Sequence, residues 1–142
     1  MMYVIKRENI PTINSIEVDG HIHDLGLLKD FRKHPLLAQF LPELARISLS
    51  WVRLEKGQQL NAHKHPTTSM IIITDGYVTT IGDTFIEASA GDIILIPPNV
   101  LHGFIGGEPD GLWGLSVQFE GEGLYESIDY PRVNFLCEED HL

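Results

Sequence analysis

Cysteine is almost missing from this chain: Cys137 is the one thiol and has no partner for an internal disulfide, which suits a reducing compartment. Nothing around it marks a nucleophile. Long apolar runs are missing as well. No stretch approaches the roughly 18 to 20 residues a membrane helix needs, and Met1 to Arg7 lacks the apolar region of a secretory leader. Basic residues are scarce, with ten Lys and Arg against twenty Asp and Glu, a net charge of −10. Beyond Gly107 there are nine acids and a single base, Arg132. Such a surface repels phosphate backbones, and no basic helix-turn-helix segment is present, so nucleic acid is not the expected partner. A cytoplasmic protein is expected, without membrane or nucleic-acid partners.

With 142 residues the chain can close one substantial core and not two. A single domain over 1–142 is expected, with an N-terminal arm to about residue 45, a core over about 46–120 and a C-terminal arm over about 121–142. Short strands are expected at 3–5 and 16–18, around a turn at Asn9 to Thr12. Strands at the start of a small barrel commonly cross to a second copy and cover an edge, so a homodimer is expected. From His34 to Ala45, apolar residues recur at three and four with Pro42 interrupting, which predicts a short helical segment at about 35–45, a cap or a lid.

Arg46 to Leu54 alternates, and the face carrying Trp51 and Arg53 is read as the core face, with Arg53 placed to hold an acidic ligand if it lies near the mouth. Further strands are predicted at Ser69–Thr74, Tyr77–Ile81, Thr84–Ala88, Ile93–Ile96, His102–Ile105 and Leu112–Phe119. Asp75-Gly76 is read as a tight hairpin and Ala90-Gly91-Asp92 as a turn. The small polar face Gly114, Ser116, Gln118 makes Gln118 a candidate ligand contact. Hairpins at short, regular intervals are the rhythm of an all-β barrel or sandwich. Leu124 to Phe135 reads as an arm packed on the outside.

The chemistry gathers between Gly57 and Gly106. His63 and His65 are two apart, so an extended Gln59 to His65 points both imidazoles to one side, together with Gln59 and Asn61. Two imidazoles on one strand face chelate a first-row metal once a partner arrives, and His102, after the turn Pro97-Pro98-Asn99, is that candidate partner. Asn99 tolerates positive φ, which lets the chain swing back beside the first strand. A second pair, His21 and His23, sits between Asp19-Gly20 and Asp24 in a turn-like setting with no answering motif.

The two motifs, Gly57-x5-His63-x-His65-x3-Ser69-x6-Gly76 and Gly91-x5-Pro97-x-Asn99-x2-His102-x3-Gly106, resemble those of the cupins. The resemblance implies a double-stranded β-helix (jelly-roll) barrel and maps His63, His65 and His102 onto the family's histidine ligands. Ser69 stands at the position of its Glu ligand. Without that carboxylate a divalent ion keeps its full charge and favours an anionic substrate. Three-histidine sites in this family occur in dioxygenases, so iron(II) is favoured over nickel, manganese, zinc or copper. The resemblance thus implies a small-molecule enzyme acting on an organic acid or carbonyl compound, as a dioxygenase or by isomerase or lyase chemistry. Candidate substrate contacts are Ser69, Arg53 and Gln118. A ligand-sensing barrel and a metal-independent dehydratase or cyclase are the alternatives.

Overall fold

The computed structural model describes residues 1–41 and 47–119 and the backbone of 134–135. Its strands, in chain order, are β1 (Ile13–Val18), β2 (His21–Asp30), β3 (Ile47–Leu54), β4 (Gln59–Lys64), β5 (Ser69–Gly82), β6 (Glu87–Ser89), β7 (Ile93–Ile96), β8 (His102–Gly106), β9 (Leu112–Phe119) and β10 (Asn134–Phe135). One helix, α1 (Pro35–Phe40), is described. The antiparallel order β1-β2-β3-β9-β5-β8-β4-β10, with β6 and β7 also on β5, curls into a jelly-roll barrel. Its two ends meet where Asn61 of β4 reaches His23 of β2, with Nδ2 and Nδ1 3.1 Å apart.

The helix follows from local chemistry. His34 caps it by accepting the Leu36 N–H on Nδ1, Pro35 opens it, and Leu41, the residue before Pro42, is extended at ψ 124. Residues 42–46 of the expected segment lie outside the described residues. So do 120–133 and 136–142, most of the expected C-terminal arm and Cys137; Asn134–Phe135 pairs with β4.

The long strand β5 replaces the hairpin expected at Asp75-Gly76. Ser69 to Gly76 pairs with β9, and Val78 to Gly82 pairs with β8. The register shifts between Ile73 and Asp75, so the strand bends there and passes from one sheet to the other. Gly76 makes the bend at φ +83, and a Cβ there would collide with the Gly111 carbonyl.

The faces of β3 are reversed from expectation. Ser48, Val52 and Leu54 are buried, whereas Trp51 packs outside, edge-on to Trp113 at 6.4 Å and near Phe31 at 6.2 Å. Arg7 lies over Trp113 at 3.6 Å and over Trp51 at 5.3 Å. A cation on two aromatic faces gives the N-terminal segment a reason to cover this side. Both faces of β3 are therefore covered, and apolarity alone does not tell inside from outside. The N-terminal segment forms a 3-10 turn at Arg7–Asn9 in place of a strand at 3–5. His21 and His23 lie on strand β2, not in a turn, and β6 starts at Glu87 where a strand from Thr84 was expected. The interior is filled by Leu25, Leu28, Val52, Leu54, Leu60, Ile71, Ile73, Val78, Ile96, Phe104 and Leu112.

Candidate metal centre

The three motif histidines come together. One nitrogen from each of His63, His65 and His102 lies within 4.8 Å of the others, and all three rings are buried. Ring centroids are 4.3 Å apart for His63 and His102, 4.8 Å for His65 and His102, and 6.0 Å for His63 and His65. The long-range pairing of β4 with β8 sets His63 opposite His102.

How His63 reaches the interior differs from a simple alternation. The β4–β8 register shifts between Leu60 and His63, a bulge at Asn61-Ala62. Leu60 and His63 thus both line the cavity, while Gln59 is exposed. Asn61 faces His23 instead of joining the histidine cluster. After Pro97-Pro98, Asn99 adopts φ +62 as its side chain permits, and its N–H donates to the His65 carbonyl at 2.8 Å. The second motif is thereby tied to the first at the turn.

Each ring is oriented by a main-chain carbonyl. Nδ1 of His63 faces the Asn61 oxygen at 2.8 Å, Nδ1 of His65 the Thr67 oxygen at 3.0 Å, and Nδ1 of His102 the Val100 oxygen at 2.8 Å. A carbonyl only accepts, so Nδ1 carries the proton and Nε2 becomes the ligating side. Burial, and the His102 ring beside it, hold the His63 pKa down at about 3. Burial holds His102 down at about 4. Buried imidazoles with one tautomer fixed and one nitrogen of each gathered fit a divalent transition ion.

Those depressed values carry a pH signature. In the unfolded chain a histidine takes up its proton near 6.5, so below that pH the unfolded state binds more protons than the fold. The stability due to His63 and His102 is complete above about pH 6.5 and is lost as the pH falls toward 4 and 3. Thermal melts of chelator-treated protein are expected to hold steady from pH 8 to 7 and to fall below 6.5. Replacing His63 by Leu should flatten part of that fall; an unchanged pH profile in the variant would contradict the low value for His63.

The cavity above the histidines is compact, about 50 Å³, room for roughly four waters at about 12 Å³ each. Leu25, Leu28, Val52, Leu60, Met70, Ile71, Ile96 and Phe104 make most of its wall, with Ser69, Ser116 and Gln118 as its polar groups besides the histidines. Among the described residues that line it, none is charged. Ser69 is buried, with Oγ 3.5 Å from His65 Nε2. Gln118 is its cross-strand partner on β9.

Arg53 is placed elsewhere. Its Nη1 donates to the Leu112 carbonyl at 3.1 Å, and it is not among the cavity residues. The second histidine pair splits. His21 is exposed, while His23 is buried against Asn61 and lies outside the three-histidine cluster. Burial, then the neighbouring His21, lowers the His23 pKa. The β2 residues Leu25 and Leu28, which wall the cavity, carried no motif; they lie three apart with Gly26 at φ +68 between them, so strict alternation would not have turned both inward.

Residues 50–110 match the Cupin domain family. No curated protein matches the chain. Among solved structures, the polyketide cyclase RemF from Streptomyces resistomycificus superposes with a TM-score of 0.66 at 18% identity, over 99% of this chain and 91% of that one. A cupin 2 conserved barrel domain protein from Rhodopseudomonas palustris gives 0.66 at 16% identity, over 93% and 81%. A cupin-like protein from Thermotoga maritima gives 0.58 at 20% identity, over 81% and 80%. At these identities the structures speak for the fold. No helix among the described residues is long and apolar enough to cross a membrane. Family match, barrel and histidine cluster agree: residues 50–110 are similar to the Cupin domain family, and within that stretch His63, His65 and His102 can hold a metal ion.

Proposed function

We propose that this protein is a metal-dependent enzyme that oxidises a small carbonyl compound or organic acid with dioxygen. The observation that carries the reading is the cluster of three buried imidazoles at the end of an apolar cavity whose described lining holds no charged side chain. His63, His65 and His102 would hold the ion through Nε2, each ring kept in place by its carbonyl partner. A divalent ion there supplies Lewis acidity toward a substrate oxygen and, as iron(II), chemistry with dioxygen. The apolar wall excludes water around the bound substrate, and the Ser69 hydroxyl lies beside His65 within reach of it.

The same cavity weighs against the alternatives. Isomerase or lyase chemistry needs a base at the reacting carbon. Apart from the histidines, the described lining offers only the neutral polar groups of Ser69, Ser116 and Gln118. A metal-independent dehydratase would use a histidine as that base, yet His63 and His102 gain a proton only near pH 3 and 4. Such rings are weak bases at neutral pH.

The test is elemental analysis of the purified protein, reconstitution with iron(II), and oxygen uptake screened against small acids, diketones and thiols. Uptake that requires iron and stops with chelator is the expected result. Turnover that persists under nitrogen would transfer the assignment to isomerase or lyase chemistry. Metal binding without turnover of any compound would leave a ligand-holding barrel, and activity that survives chelator would overturn the metal-dependent reading.

A further inference from the structure

Gln118 carries a polar atom that no described residue satisfies. Its Nε2 donates to Ser116 Oγ at 3.3 Å, but its Oε1 is buried with no hydrogen-bond partner among the described residues. Buried acceptors are nearly always paired, and this one belongs to a residue that lines the cavity. Register places it there. Gln118 pairs across the sheet with Ser69, whose Oγ is 3.5 Å from His65 Nε2, so a polar line runs from the metal-holding end to the Gln118 amide. The rest of the wall is apolar.

We infer that Gln118 Oε1 reads a hydroxyl group of the substrate, which makes the substrate a compact hydroxy acid or hydroxy carbonyl compound. It would bind the metal through its carboxyl or carbonyl oxygen and donate its hydroxyl proton to Gln118. An acceptor selects a donor. An ammonium donor would be buried without a carboxylate, since the described lining holds no acid. A neutral hydroxyl carries no such penalty. The volume of about 50 Å³, room for roughly four waters, keeps the molecule small.

This inference rests on the metal-centre reading, and the test separates the two. Protein loaded with cobalt(II) is titrated, through the visible spectrum of the ion, with propionate, 3-hydroxypropionate and 3-methoxypropionate. The methoxy compound keeps the oxygen and lacks the donor. Wild type is expected to bind 3-hydroxypropionate at least about tenfold more tightly than the other two. Gln118→Met, close in volume and without the amide, should reduce that preference to within about twofold, with the ligand-free cobalt spectrum as the check that the metal centre is intact. Equal binding of the hydroxy and methoxy compounds by wild type would overturn the inference and leave the metal centre standing. It is also the result expected if the Ser69 hydroxyl turns to satisfy Gln118 instead. A preference that survives in Gln118→Met would overturn it too. No cobalt spectrum in wild type would remove the metal centre, and this inference with it.

Discussion

His102→Ala is expected to strip the protein of stoichiometric metal, lowering affinity by at least about a hundredfold. Replacing groups that merely orient a ligand typically costs about 10- to 100-fold, and His102 contributes one of the three clustered nitrogens. Among the described residues, no further His, Cys or carboxylate joins the cluster. Ser69 stands beside His65 and offers only a neutral hydroxyl. The variant should remain folded, because β8 is held by backbone pairing to both β4 and β5. The lost ring leaves a small void beside Phe104, whose ring centroid is 6.0 Å away. Circular dichroism and melting of the metal-free form check that point. The control is His21→Ala, at an exposed histidine outside the cluster, which should keep its metal. Elemental analysis after dialysis against limiting cobalt or iron decides it: full retention by His102→Ala would remove the three-histidine assignment.

Gly76→Ala is expected to be among the most damaging single-methyl additions in the chain. Two terms combine. The backbone at φ +83 disfavours any side chain, costing about 1–2 kcal/mol, and the new Cβ would meet the Gly111 carbonyl and the Leu112 main chain. Relieving such a clash by backbone movement costs a further 1–3 kcal/mol or so. The affected bend is where β5 leaves one sheet for the other, so movement there loosens pairing with β9 and β8 together. The sum, about 2–5 kcal/mol, corresponds to a fall of roughly 10 °C in Tm. Gly57→Ala separates the terms, since Gly57 has φ +77 but nothing within 4 Å of an added Cβ. It should show only the smaller backbone cost. Equal loss in the two variants, measured by urea unfolding, would mean the close approach at Gly76 contributes nothing.

The three clustered histidines were legible because their signals are local. His63 and His65 are close in sequence, His102 follows a turn whose Asn99 does take positive φ, and Ile93–Ile96 and Leu112–Phe119 lie between residues that end strands. Most of the errors concern which way a strand faces or where it turns. Asp75-Gly76 has the chemistry of a hairpin, yet one strand continues through it with a bend, because β8 and β9 offer partners on either side. Trp51 and Arg53 looked inward by their company, but Arg7, Phe31 and Trp113 cover that face from the outside. Gln59 and Asn61 share the parity of His63 and still part from it, since a bulge opposite β8 resets the alternation.

The sequence by itself determined an all-β chain with three histidines spaced to meet and an acidic surface. These depend on composition, periodicity and turn chemistry, which act over a few residues. Only the tertiary structure decided that the three rings share one tautomer, that Arg53 stands away from the cavity, and that Ser69 and Gln118 form its polar line. Each of those depends on the register between strands far apart in the chain. A one-residue change of register turns a side chain to the opposite face, and that choice is made by the partner strand.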